Sequence, residues 1–312
     1  MNLKRNFFAD GLYSLQKFRR QLRRKWGRIM PHDLPAPFFH PADIDSLQAF
    51  FAEAQGKPGM DPVGVEQLHG KCFVCDQDVD FVVEQPSDDG LVNWRETLSC
   101  PNCGLINRWR SCMHVFEAIC QPKRDDRIYL TETLSPVFEE LDKRYEGLVG
   151  SEYFPDANPG ETVSIQGRSV RNEDATALSF SDERFEAVLC FDVLEHVPDY
   201  RKSLCEFCRV LTPGGSLVLS VPFSFRQETL VRALVNDSGE IEHIVEPCYH
   251  GDPLSPDGVL SFYDFGLELL DEMYRAGFDE CFILCYQSRH WGYLHENVAF
   301  IARKLKKSSP RR

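Results

Sequence analysis

The chain has 312 residues, 43% hydrophobic and 27% charged, which suits one large domain plus a small one and excludes wholesale disorder. No apolar run reaches the roughly 18 residues a membrane span requires, and residues 1–30 lack the short apolar core of a signal peptide, so the expected location is cytoplasmic. The net charge of −13 is unevenly spread: residues 1–30 hold nine Lys/Arg and one Asp, and the rest carries −21, a body that repels nucleic-acid phosphates.

Phe8, Leu12, Leu15, Phe18, Leu22, Trp26 and Ile29 recur at steps of three or four, with Lys17, Arg19, Arg20, Arg23, Arg24, Lys25 and Arg28 between them. This predicts a basic amphipathic helix over 1–30, packed on the protein's own body or laid on a partner or an anionic membrane as a peripheral contact. Pro-rich residues 31–67 read as a linker with a short helix over Asp43–Gln55. A cysteine module spans 68–105 and a larger unit 106–305, with a basic tail at 306–312.

In the larger unit, helical spacing runs from Asn107 to Cys120, and Arg127–Thr131 is a short apolar strand. Ser135-Pro136 opens a helix, since Ser caps and Pro suits the first turn. Gly147–Tyr153 is strand-like, Phe185–Phe191 is a wholly apolar strand, and Tyr200–Leu211 is a helix stopped by Thr212-Pro213-Gly214-Gly215. Ser216–Val221 is a buried strand, Tyr263–Ala276 a helix, and Cys281–Tyr286 and Val298–Arg303 are final strands. Apolar strands alternating with helices predict an α/β class with a mostly parallel sheet covered on both faces.

Twelve cysteines are many for such a chain. Four form two Cys-x2-Cys pairs, Cys72/Cys75 and Cys100/Cys103, separated by 24 residues. Each pair can give two thiolates to one tetrahedral zinc, and four cysteines leave no open position, so the expected metal is structural. The long spacing suggests a hairpin between the pairs near Asp88-Asp89-Gly90, and Gly104 sits where a positive φ is often wanted.

The stretch Asp174-Ala-Thr-Ala-Leu, Phe185-Glu-Ala-Val, Phe-Asp192-Val-Leu-Glu195-His196-Val and Val-Leu-Thr-Pro213-Gly214-Gly215 resembles the class I S-adenosylmethionine-dependent methyltransferases, especially those acting on small molecules and saccharides. The resemblance implies a Rossmann-like sheet with an antiparallel last strand, behind a small zinc ribbon. It also implies S-adenosylmethionine as cofactor: Glu152 on the ribose hydroxyls, Asp174 on the adenine amino group, the Ala175 amide facing the ring, and Asp192 near the methyl group. In place of the family's Gly-rich first loop the chain reads Thr131-Glu132-Thr-Leu-Ser135. Glu132 is then expected to pair with the cofactor's amino group, and the helix start at Ser135 to favour its carboxylate.

Candidate bases for a hydroxyl or amine acceptor are His196, His243 and His250, with Asp252 as an orienting carboxylate for His250 in a Gly/Pro loop. The expected substrate is a small molecule or glycan hydroxyl. Two alternatives stay open: a non-catalytic binding protein of methyltransferase shape, and a nucleic-acid or protein methyltransferase, against which the acidic surroundings of the cysteine pairs speak.

Overall fold

Strand β3 (Arg127–Leu130), β4 (Gly147–Gly150), β7 (Phe185–Phe191) and β8 (Leu211–Ser220) run parallel, because each is followed by a connection long enough to cross over the sheet. With β15 (Glu280–Ser288) and β16 (Tyr293–Arg303) they make one six-stranded sheet in the order β15-β16-β8-β7-β3-β4. Strand β16 is antiparallel to both neighbours, as the resemblance implies. The structure is a computed structural model that describes residues 64–84, 92–165, 167–252 and 255–306. The expected helix of 1–30, the linker helix Asp43–Gln55, the hairpin at Asp88-Asp89-Gly90 and nearly all of the basic tail lie outside the described residues. No helix among the described residues is long and apolar enough to cross a membrane.

The sheet faces are closed differently. On one face Ile128, Leu189, Val218, Phe282 and Ile301 pack against Met113 and Phe116 of α1 (Asn107–Cys120) and against α2 (Pro136–Asp142). The same cluster takes in Leu68, Phe81, Trp94 and Leu98 of the cysteine module, so the module and the sheet share one core. Its hairpin, β1 (Gln67–Cys72) and β2 (Gln77–Val82), alternates apolar-in and polar-out. On the other face Tyr129, Val188, Leu217, Leu219 and Phe300 pack against α3 (Tyr200–Val210) and α4 (Leu269–Arg275). Small strands fill the connections: β5 (Thr162–Ile165) with β6 (Arg168–Arg171), β9 (Leu230–Val231), β10 (Ala233–Val235) with β11 (Ile241–His243), and β12 (Tyr249–Asp252) with β13 (Ser255–Leu260).

Helix boundaries follow the local chemistry. The Ser135 hydroxyl accepts from Phe138 N at 3.2 Å with Pro136 in the first turn of α2. Gln121, in the left-handed region, closes α1 by donating its N–H to the Glu117 carbonyl. Two expectations need correction. The Thr212–Gly215 turn is no separate helix stop: α3 runs directly into β8, which shifts register against β7 while Gly214 adopts φ +98°. Tyr263–Ala276 is not one helix. Tyr263–Asp264 (β14) is a short strand that pairs with β9. Helix α4 begins after Gly266, which lies so close to the Glu228 backbone that a Cβ would sit 2.5 Å from it.

Candidate functional site at the carboxyl ends of the strands

In an open α/β sheet, ligands bind beyond the carboxyl ends of the strands where the chain reverses its direction of progress. Here that point lies between β3 and β7. The chain leaving β3 carries Glu132, that leaving β4 carries Glu152, and that leaving β7 carries Asp192, Glu195 and His196.

The glycine-free first loop settles against β4. A Cβ on Gly150 would meet Phe138, Thr133 and the Glu132 carbonyl at 2.5–2.7 Å. The glycine the first loop lacks is thus supplied by the neighbouring strand. Oxygen Oε1 of Glu152 accepts from the backbone N–H groups of Thr133 and Leu134, both at 2.7 Å, and fixes the loop further. Oxygen Oε1 of Glu132 is buried with no hydrogen-bond partner. Burial pushes the Glu132 carboxyl up to about 8, against the Ser135 hydroxyl and the Arg108 charge. The start of α2 is already capped by Ser135.

Asp192, held at φ +52°, accepts from Arg95 at 2.8 Å, from Arg108 at 3.1 Å and from the Ser220 hydroxyl at 2.6 Å. Burial alone would raise its carboxyl, but the two guanidiniums and the hydroxyl outweigh it and hold Asp192 well below the usual carboxylate range. Arg108 is also paired with both oxygens of Glu96, at 2.7 and 3.0 Å. Arg95 comes from the cysteine module and Arg108 from α1, and the sequence reading named neither. Their one signal was positive charge flanking the second cysteine pair of an acidic module.

Asp174 uses Oδ1 locally, accepting from the Thr176 backbone at 2.8 Å and hydroxyl at 2.7 Å. Ala175 packs partly buried against the second core. The preceding Glu173 is the carboxylate consumed by the fold: it is wholly buried, pairs with Arg171 at 2.7 Å and accepts from Ser179 N and Oγ.

The histidines separate. His196 and His250 cross at 85° with ring centroids 5.0 Å apart, and both face Oε1 of Glu195, at 3.6 and 3.5 Å. The Glu195 carboxylate beside it raises the His250 imidazole above its ordinary value, against the effect of burial. His243 sits exposed on β11, and no hydrogen bond or ion pair joins it to His196 or His250 among the described residues. Asp252 lies on β12 opposite Ser255, in a strand instead of the expected loop. Among the described side chains a carboxylate that meets His250 is Glu195, which the sequence placed at this strand end without assigning it a role.

The four module cysteines converge. Cys72 and Cys103 Sγ lie 3.9 Å apart, Cys75 and Cys100 Sγ 3.8 Å apart, and all four sulfurs fall within 4.8 Å of one another. Tetrahedral zinc with thiolates at ~2.3 Å spaces its sulfurs about 3.8 Å apart. Gly104 has φ +74° and donates its N–H to the Cys100 carbonyl, turning the second pair. The wholly buried Arg110 lies near this cluster. It donates to the carbonyls of Leu105, Leu98, Trp291 and Gly292 and stacks on Phe81 with no carboxylate partner. A tetrathiolate zinc centre is doubly negative, and a buried guanidinium is a natural counter-charge for it.

Residues 137–219 match the family model for a methyltransferase domain. A demethylmenaquinone methyltransferase from Deinococcus radiodurans is 38% identical over 76 residues, 23% of this chain and 32% of that protein. One from Staphylococcus aureus is 32% identical over 100 residues, 32% of this chain and 39% of that protein. The chain thus spans about a third of the length of the curated relatives it matches. An S-adenosylmethionine-dependent methyltransferase from Mesorhizobium loti covers 65% of this chain and 100% of its own at 14% identity and TM-score 0.40. One from Methanosarcina mazei covers 60% and 95% at 20% identity and TM-score 0.35. The family match runs from α2 to β8, through the strands whose ends carry the site.

Proposed function

We propose that this chain transfers a methyl group from S-adenosylmethionine to a hydroxyl of a small molecule or glycan. The observation that carries the reading is the buried, unpartnered oxygen of Glu132 at the reversal point of the sheet. A carboxylate oxygen kept dry without a donor is costly, and the ammonium group of the cofactor's methionine end would supply one to Oε1. Glu152 would hold the ribose hydroxyls, since each carboxylate oxygen accepts more than one hydrogen bond. Asp174 and Ala175 would face the adenine. The cofactor, when bound, supplies a methyl group made electrophilic by its sulfonium.

The remaining work is positioning and proton removal, which this chain does with its own groups. Asp192 and its two arginines fix the end of β7, and Glu195, His196 and His250 stand where the acceptor's hydroxyl is activated. The zinc proposal for Cys72, Cys75, Cys100 and Cys103 rests on the sulfur spacings and on Arg110, and its role is structural.

Calorimetric titration with S-adenosylmethionine tests the reading. We expect saturable binding to the wild type, weakened about 10-fold or more by Glu152→Ala and by Asp174→Ala, the scale of one lost charge-assisted hydrogen bond. No heat and no copurified cofactor from folded, zinc-loaded protein would overturn it.

A further inference from the structure

The turn after β7 buries a carboxylate that no described residue satisfies with a hydrogen bond. The Glu195 side chain has no exposed surface, and neither of its oxygens has a hydrogen-bond partner. Its nearest ionisable neighbours are His196 Nε2 and His250 Nδ1, at 3.6 and 3.5 Å from the same oxygen. Both contacts are longer than a good N–H···O bond. The His196 Nδ1 lies 2.8 Å from the Leu260 carbonyl, an acceptor only, so Nδ1 carries a proton, and in the neutral ring the Nε2 lone pair faces the Glu195 side. One imidazole nitrogen thus turns its lone pair toward a carboxylate that lacks a donor. That arrangement is repulsive by itself and fits a shared cation between them.

The distances agree. The three ligand atoms lie within 4.8 Å of one another. Nitrogen and oxygen donors at ~2.0–2.2 Å from one ion stand about 2.8–3.1 Å apart in octahedral and about 3.3–3.6 Å apart in tetrahedral geometry. The observed 3.5 and 3.6 Å match the tetrahedral spacing and need a closure of about half an ångström for the octahedral one. The third ligand comes from far along the chain and is well placed: β12 pairs with β13, and Gly258, at φ +77°, lets the backbone pass where a Cβ would strike the His250 carbonyl.

We propose that Glu195, His196 and His250 bind one divalent first-row transition ion, as two imidazoles and a carboxylate, with the remaining coordination positions open to an acceptor hydroxyl. Two nitrogens and one oxygen suit manganese, iron, cobalt, nickel or zinc better than the all-oxygen preference of calcium or magnesium. The binding site stands on the geometry above; its use in catalysis rests on the methyl-transfer reading. In that use the imidazoles act as ligands, and the cation takes over the lowering of the acceptor's pKa. The acceptor O–H gives its proton to water. The oxygen then bonds the methyl carbon while the carbon–sulfur bond breaks, and its electron pair stays on sulfur, which leaves as a neutral thioether. Open neighbouring positions favour an acceptor with a second oxygen beside the hydroxyl, as in a vicinal diol. The ion also ties β12, in the cover over the site, to the end of β7.

The test is Mn²⁺ titration of zinc-loaded protein without S-adenosylmethionine, reading free Mn²⁺ by electron paramagnetic resonance. Manganese is chosen because soft thiolates discriminate against it, so the cysteine cluster does not compete. We expect one bound equivalent, weakened at least about 10-fold by Glu195→Gln and by His250→Ala, as loss of a ligand exceeds the loss of a group that merely orients one. His69→Ala, at an exposed His–Asp pair on β1, should bind as the wild type does. The bound ion should also slow amide exchange over 249–260 in the wild type and not in Glu195→Gln. Absence of Mn²⁺ and Ni²⁺ binding to the wild type overturns the proposal, as does unchanged binding in both folded variants. Ion binding without cofactor binding would sink the methyl-transfer reading and leave the metal site standing; cofactor binding without ion binding would do the reverse.

Discussion

Asp192 and Glu195 stand three residues apart at the end of one strand, both buried, and they have opposite surroundings. Asp192 turns toward the face closed by α1 and the cysteine module, where two guanidiniums and a hydroxyl reach it. Glu195 turns toward the cover strands and meets only imidazole rings beyond hydrogen-bonding length. Charge satisfied by the chain holds the fold together, and charge the chain leaves unsatisfied is held for a ligand. The module side is therefore the rigid half of the site and the cover side the half that waits.

The largest effect should come from the rigid half. Stripping zinc with a strong chelator, or replacing Cys72 by Ser, should lower the melting temperature by at least ~15 °C, given a structural zinc worth on the order of 10 kcal/mol and a shift of ~2–4 °C per kcal/mol at this size. Because Leu68, Phe81, Trp94 and Leu98 share a core with the sheet, calorimetry should show one transition. A separate low-temperature transition, with the sheet melting unchanged, would mean that the two halves are independent.

The two carboxylates can then be set against each other. Asp192→Asn leaves Arg95 and Arg108 buried with one strong acceptor fewer between them and should cost about 3–5 kcal/mol in urea unfolding, the usual result of removing one partner from a buried ion pair. Glu195→Gln, in buffer freed of added divalent ions, should be neutral or stabilising by ~1 kcal/mol, since it removes a buried charge with no donor. Equal losses from the two substitutions would erase the distinction.

The sequence carried most of the sheet because its central strands are buried on both faces and read as continuous apolar runs, Phe185–Phe191 above all. The cysteine pairs were legible because four sulfurs at paired spacing admit few other readings. The irregular connections were not. Tyr263, Phe265 and Leu267 were absorbed into a helical count because the real helix begins two residues after Leu267. The contacts that define the site were hidden for a different reason: Arg95 lies 97 residues from Asp192, and His250 lies 55 residues from Glu195, and no local pattern links them. The sequence set His250 beside its neighbour Asp252, because nearness along the chain was the only nearness available, and gave no sign of its approach to Glu195.

The smallest predicted effect tests whether Glu132 belongs with Glu195 as a reserved carboxylate. Its carboxyl is pushed to about 8 in the fold, against an ordinary value of 4.5. Below pH 4.5 it is protonated folded and unfolded, and its contribution to stability is fully present. As pH rises from there toward 8 only the unfolded chain ionises, so stability falls by about 1.4 kcal/mol per pH unit and levels off above 8. Glu132→Gln carries no such dependence. It should match the wild type near pH 4.5 and exceed it by about 2–3 kcal/mol at pH 8, allowing for relaxation of the loop. S-adenosylmethionine should flatten the wild-type curve, because an ammonium at Oε1 favours the ionised form, and it should stabilise Glu132→Gln less. If the variant and the wild type lose stability in parallel from pH 4.5 to 8, Glu132 is solvated, and Glu195 is left as the single carboxylate held in reserve.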